Sequence, residues 1–288
     1  MAARRCNGGE PANEGQGAVP LMNCPEHKFS DVSDFLRRVQ DYPNIVWIYR
    51  GQADATWPLI PKAGRREYFR PQSDEDPRDG LASPDLRRYK IWRREARAYS
   101  QSIPEGDLEC LAYAQHYGLA TRLLDWSKNP LVALYFAAET DDETDGAVYC
   151  YLTWDAVVDG RANPQEIPRV ARYVPRPFDR RILAQAAAFT IHPRPQDPLS
   201  PEKSHAELEQ FAPDGVDLVR FIVRSQFKSA ILRQLSEICV DRKHLFPDLE
   251  GLSGFINWQT RYLGGKMDRA EETGYSDGTT NQRRRATK

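Results

Sequence analysis

The sequence predicts an α+β fold, a single mixed domain with a central antiparallel or mixed sheet flanked by helices. Three observations predict it. Helical and strand-like apolar patterns follow one another without the strict βαβ alternation that a parallel sheet demands. A chain of 288 residues, 40% apolar and 10% aromatic, can bury roughly three quarters of its unfolded surface, so its core needs no staples. No internal repeat divides the chain into smaller units.

The expected organisation is a flexible leader over residues 1–28, a domain over 29–265 and a flexible tail over 266–288 that ends in Arg283-Arg284-Arg285. Inside the domain, Ser30 opens a helix whose Val32, Phe35, Leu36 and Val39 share one face. Pro43-Asn44 ends it. Ile45 to Tyr49 is a β-rich run that delivers Arg50 at its exit. Polar sequence from Pro71 to Ser83 reads as a mobile loop, and Ser83-Pro84 starts a helix with a stripe at Leu86, Tyr89, Trp92, Ala96 and Tyr99. A further helix around Leu108, Leu111 and Ala112 ends at Gly118, where positive φ is favoured. Residues 119–126 lack helical spacing. Asn129-Pro130 caps a helix carrying Leu131, Leu134, Tyr135 and Ala138. Strands are expected over 147–152, 187–192 and 218–223, a helix through Phe227, Ile231, Leu235 and Ile238, and a last helix after Leu245-Phe246-Pro247-Asp248-Leu249.

Composition excludes several classes of function. No apolar run approaches the length needed to span a bilayer, and the first thirty residues lack a signal-peptide core, so a cytoplasmic protein with no membrane partner is expected. The net charge of -1 gives no global attraction to nucleic acid. Five scattered cysteines, Cys6, Cys24, Cys110, Cys150 and Cys239, form no Cys-x-x-Cys pair and read as reduced thiols, and no metal is expected. Walker, Gly-x-Gly-x-x-Gly, Gly-x-Ser-x-Gly and His-Glu-x-x-His signatures are all missing.

Polar groups instead concentrate in three places. In Tyr49-Arg50-Gly51-Gln52, an arginine at the end of an apolar strand offers a planar fork suited to phosphate or carboxylate, and Gly51 admits close approach of a backbone or ligand. The structural alternative is a core arginine bonded to Asp125 or to main-chain carbonyls. From Gln115 to Ser127, thirteen positions hold His116, Tyr117, Thr121, Arg122, Asp125 and Trp126 between two helices. Singly, His116 suits a helix C-terminus, and Asp125 or Ser127 suits a cap. Together they read as a binding or catalytic segment. Arg181 to Gln185, entering the strand 187–192, presents an amide able to grip a ribose hydroxyl.

These blocks, with Trp57-Pro58-Leu59-Ile60-Pro61, Arg65 and Asn129 to Ala138, resemble the FRG-domain family, whose motif Phe-Arg-Gly has Tyr49 in first place here. The resemblance extends from Ile45 to Phe255, through Arg181, Gln185 and Phe189 to Leu245-Phe246-Pro247-Asp248-Leu249. Ala187 departs from the family's usual Gly, and Val223-Arg224 from its apolar-Pro pair. Some members look like ADP-ribosyltransferases of bacterial and phage-related loci. The resemblance therefore implies an ADP-ribosyltransferase-like fold and an NAD-dependent toxin or phage-defence effector, with NAD as substrate, a nucleic acid or protein as acceptor and an antitoxin as a partner. It implies Arg50, Thr121, Asp125 and Gln185 as the catalytic set, with Arg50, Gly51, Gln52, Gln115, His116, Tyr117, Thr121, Arg122 and Tyr135 around the dinucleotide. The alternative is a non-catalytic module gripping nucleic acid or protein through Arg50, Arg122 and nearby aromatics. A nuclease or hydrolase using Asp125 and His116 is disfavoured, since no second carboxylate has suitable spacing.

Overall fold

A computed structural model of the protein describes residues 24–69, 83–139, 143–153, 158–204 and 206–263. The expected loop at 71–82, the tail and most of the leader lie outside the described residues. Among the described residues, seven strands form one mixed sheet, and it is flanked by helices as the sequence predicts. The strands are β1 (Glu26–Lys28), β2 (Trp47–Gln52), β3 (Leu123–Ser127), β4 (Gly146–Leu152), β5 (Ala171–Tyr173), β6 (Ala187–Ile191) and β7 (Leu218–Val223), in the order β1-β7-β4-β2-β3-β6-β5. Only β1 against β7 is parallel; the other pairs are antiparallel.

Glu26–Lys28, expected in the leader, thus belong to the sheet. Arg220 of β7 donates to Glu26 at 3.0 Å and holds that edge strand in place. The helices are α1 (Val32–Val39), α2 (Pro84–Ala96), α3 (Asp107–His116), α4 (Pro130–Ala138), α5 (Arg180–Ala184), α6 (Ser225–Glu237), α7 (Arg242–Leu245) and α8 (Leu249–Leu263). The cap of α1 is Asp31 rather than Ser30, because the Asp31 carboxylate accepts from Asp34 N at 2.8 Å. Asn129 caps α4 as expected, accepting from Leu131 N at 2.9 Å. Gly118 closes α3 with φ of 92°, a conformation that suits glycine. No helix among the described residues is long and apolar enough to cross a membrane.

The two faces of the sheet are covered differently. On one, Trp47 and Tyr49 of β2, Val148 and Cys150 of β4 and Phe221 of β7 meet α4 and α6 in the largest core. Beside it, Leu123 of β3 and Phe189 and Ile191 of β6 meet Leu108 and Leu111 of α3 in a second. On the other face, Ile48, Leu124, Trp126, Tyr149 and Leu218 pack under Leu59 and Leu199. Alternation along β3 puts Asp125 on the helix-covered face with Leu123, where α3 and α4 leave a seam.

Contact at β2 is close enough to require Gly51. A Cβ there would lie 1.9 Å from the Ala133 carbonyl of α4. It is the helix backbone, not a ligand, that this glycine admits.

Candidate functional site: the notch between β2 and β3

Strand β2 pairs with β4 over all of Trp47–Gln52, and β3 pairs with β6 over all of Leu123–Ser127. Between β2 and β3 the register is a single position, Tyr49 with Ser127. Arg50 with Trp126 and then Gly51 with Asp125 would be the next pairs, but the two strands part there. Arg50 fills the opening, and its Nη1 donates to the main-chain oxygen of Asp125 at 2.9 Å, standing in for a missing ladder bond. The same nitrogen is 3.9 Å from Asp125 Oδ2. Arg50 has a side chain only 16% exposed, whereas that of Asp125 is 63% exposed.

The carboxylate is held in place from the other side. Gln115, in the last turn of α3, donates through Nε2 to Asp125 Oδ1 at 2.7 Å. The Gln115 Oε1 accepts from the hydroxyl of Thr121, which in turn accepts from Leu123 N at 3.1 Å. Arg50, Asp125, Gln115 and Thr121 are therefore one hydrogen-bonded chain, and their sequence separations of up to 75 residues close around one seam. Thr121 is buried with its hydroxyl committed at both ends, so it orients Gln115 and does not face the seam.

Tyr117 caps α3 and is 65% exposed, with its phenol raised above the ordinary range by its hydrogen bond with Tyr113. His116 turns to α5 instead, its Nε2 3.6 Å from Asp179 and its ring edge-on to Phe178.

Other residues singled out from the sequence lie elsewhere. Gln185 caps the C-terminus of α5, not a strand; its main-chain oxygen accepts from Ser127 Oγ at 2.7 Å and its amide donates to Leu245 O at 3.2 Å. It thus sits past the Ser127 end of β3, while Thr121 lies beyond the Leu123 end. Arg181 is held by Asp248, which also caps α8 by accepting from Gly251 N at 2.8 Å. The two later sequence blocks dock on each other and strap α5 to the α7–α8 corner. Tyr135 belongs to α4, and its hydroxyl donates to Glu139 at 3.0 Å at the edge of a cavity of about 730 Å³ between α4 and α8. Arg50, Gln115 and Asp125 do not line that cavity.

Arg122 is the largest departure. Its fork is buried against Asp85, with Nε to Oδ2 at 2.7 Å and Nη2 to Oδ1 at 3.0 Å, and Ser83 Oγ accepts from Nη2 at 2.6 Å. Burial pushes the Asp85 carboxyl up, but the Arg122 fork and the Ser83 hydroxyl outweigh it and hold the group below the ordinary carboxylate range. Gln52 is likewise buried and faces the opposite side of the sheet from Gly51.

Sequence reasoning missed His192, which sits behind the notch. The imidazole is buried, with Nε2 2.9 Å from Thr190 Oγ1, and that hydroxyl accepts from Trp126 Nε1 at 2.8 Å. Burial first, then the charges of Arg50 and Arg122, lower its pKa to about 3, so it is neutral. No motif marks a lone histidine after a strand; only the fold reveals that it lies between the two arginines.

Residues 46–146, from the end of the turn before β2 to the start of β4, match the FRG domain family. The chain contains an FRG domain. The matched residues include the whole of the Arg50–Asp125–Gln115–Thr121 chain, whereas the Gln185 and Leu245 blocks lie outside them. No curated protein and no solved structure matches the chain significantly. Within the FRG domain, Tyr49-Arg50-Gly51 supplies one lip of the notch and Gln115 to Ser127 the other, and both lips are gripped by helices of the same domain.

Proposed function

We propose that the chain is an NAD-dependent ADP-ribosyltransferase, of the toxin or phage-defence kind, that modifies a nucleic-acid or protein acceptor. One observation carries this reading: a fixed guanidinium stands beside an exposed carboxylate that a second hydrogen bond orients, at the point where two strands part. In the transfer, the bond between nicotinamide nitrogen and ribose carbon breaks, and its electron pair leaves with nicotinamide. An acceptor oxygen or nitrogen forms the new bond to that carbon and gives up its proton. The ribose carbon is positively charged at the crest of the barrier.

Asp125 suits two parts of this reaction. Its exposed carboxylate offers negative charge to the ribose carbon and an oxygen to receive the acceptor's proton. Gln115 keeps one carboxylate oxygen bonded and so fixes the direction of the other. Arg50 offers its fork to the pyrophosphate, at a strand edge where backbone pairing has already stopped. Tyr117 offers an exposed ring for stacking on nicotinamide. These four residues are the donor set that would take the dinucleotide. Thr121 serves as a positioning residue, and Gln185, with its amide spent on Leu245, is a strap rather than a ribose ligand.

The test is incubation of the purified protein with labelled NAD and a cell lysate, followed by nuclease or protease treatment of the labelled material. Label transfer with release of nicotinamide is expected, and Arg50→Ala and Asp125→Asn should abolish both. If wild type and Arg50→Ala alike release no nicotinamide and transfer no label, the proposal is wrong.

A further inference from the structure

Helix α2 and its C-cap carry Arg87, Arg88, Lys90, Arg93, Arg94 and Arg97 within eleven consecutive positions, in a chain whose formal net charge is -1. Two of them belong to the body of the protein: Arg88 donates to the carbonyls of Tyr68 and Ala120, at 2.9 and 3.4 Å, and Arg87 is half-buried beside it. The other four stand at i, i+3, i+4 and i+7, which is one face of a helix. Like charges at that spacing repel each other by a few tenths of a kcal/mol per pair, a cost that a bound polyanion removes.

This face borders a groove of about 500 Å³. Its far wall is Asn163, Pro164 and Gln165, in a turn where Gln165 N donates to Asn163 Oδ1 at 3.1 Å. Of the acidic groups nearby, two are taken up by arginines of the stripe, and Glu166 accepts from Asn163 Nδ2 at 2.9 Å. Asp107 and the Glu105 carbonyl hold Arg93, and Glu95 accepts from Arg94 at 2.9 Å. Lys90 and Arg97 are exposed, with no carboxylate partner among the described residues. Tyr99, two residues beyond Arg97, is 90% exposed.

From Lys90 to Arg97 the helix rises about 10 Å, matching roughly three phosphates of a stacked strand at about 3.4 Å each. An aromatic ring beside such a stripe is what successive bases stack on. An acidic peptide would answer the charges but leave Tyr99 unused. The groove also lies at the N-terminal end of α3, whose last turn carries Gln115 about 12 Å away. That is a reach of a few nucleotides to Asp125.

We propose that the α2 groove binds the sugar-phosphate backbone of single-stranded nucleic acid and leads it to the notch as the acceptor. Its role as acceptor site rests on the transferase reading; the binding does not. The test is fluorescence anisotropy of labelled mixed-sequence RNA and DNA 12-mers with the full chain, without NAD, from 50 to 200 mM NaCl. Affinity should fall with salt with a log-log slope of about -2, the value for three phosphate contacts on a single strand. Lys90→Gln/Arg94→Gln/Arg97→Gln, all on the surface, should weaken binding at least tenfold and flatten that slope. Tyr99→Ala should weaken it about fivefold or more. Absence of binding at 50 mM NaCl, an unchanged affinity in the triple variant, or equal competition by a polyglutamate peptide would each overturn the proposal. If the oligonucleotide binds but neither it nor any lysate component takes label from NAD, the groove stands and the transferase reading falls. If label goes to protein while no oligonucleotide binds, the reverse holds.

Discussion

Arg50 and Arg122 stand in two regions of one domain and teach opposite lessons about the same side chain. Arg122 is sealed, its fork meeting both oxygens of buried Asp85 and the hydroxyl of Ser83. Arg50 is tethered to a carbonyl at an opening in the sheet, beside a carboxylate that faces solvent. A guanidinium whose partners are all inside the fold holds the fold together. One that stands at an opening in the sheet, next to an exposed acid, is placed where a ligand's charge can reach it.

The largest effect separating the two concerns stability. Arg122→Ala strips a buried carboxylate of its partner and should cost about 3–5 kcal/mol, read as a lower midpoint in urea unfolding. Arg50→Ala removes a bond at a partly open edge and should cost about 1–2 kcal/mol. Equal losses would erase the distinction between a fold arginine and a site arginine.

The next effect concerns the proposed chemistry. Arg50→Ala and Asp125→Asn should each lower label transfer from NAD by about 100-fold or more while the protein remains folded. An Arg50→Ala protein that transfers at the wild-type rate would move the site elsewhere. Gln115→Ala is the more discriminating change. It frees the Asp125 carboxylate without removing it, so kcat should drop about 10-fold to 100-fold with the KM for NAD little changed. A rise in KM at constant kcat would mean that Gln115 contacts the substrate rather than positioning Asp125.

Part of this was legible in the sequence. The α+β class, the Asn129 cap, the positive φ of Gly118 and the bounds of β7 followed from local chemistry, because a cap or a left-handed glycine is decided within a few residues. Strand β3 was read only as a stretch without helical spacing, since Asp125 interrupts its apolar run and its pairing with β6 is settled some sixty residues away. Strands β1 and β5 are three residues each, too short to show a period. Within the site, Gln115, Thr121 and Asp125 come from one dense polar segment and Arg50 from the separate Tyr49-Arg50-Gly51-Gln52 block, and the four do meet. Arg122 comes from the Gln115–Ser127 segment and does not join them, because its partner Asp85 lies 37 residues back and nothing local marks the pair. Gln185 lay in a strand-like context but caps a five-residue helix, a turn too short for periodicity to register.

The smallest effect offers the finest comparison, because His192 senses both arginines. Its pKa of about 3 is set by burial first, by Arg50 second and by Arg122 third. A histidine charges readily when unfolded, near 6.5, so between about pH 6.5 and 3 the unfolded chain binds a proton that the native one refuses. Its contribution to stability is therefore full above about pH 6.5 and declines as pH falls through that window, by on the order of 1 kcal/mol per pH unit. Asp217 works in the opposite sense. Burial raises its carboxyl from 3.8 to about 6, so it favours the fold below 3.8 and loses that contribution as pH rises through about 6. Asp217→Asn should thus steepen the loss of stability between pH 6 and 4, and His192→Gln should flatten it, both read from urea midpoints. In an Arg50→Ala protein the His192 imidazole should titrate upward of its wild-type value yet still below 6.5, followed by NMR of the ring protons. An unmoved His192 would mean that the Arg50 charge is already spent on partners and not directed into the notch, which would weaken its assignment to a ligand's pyrophosphate.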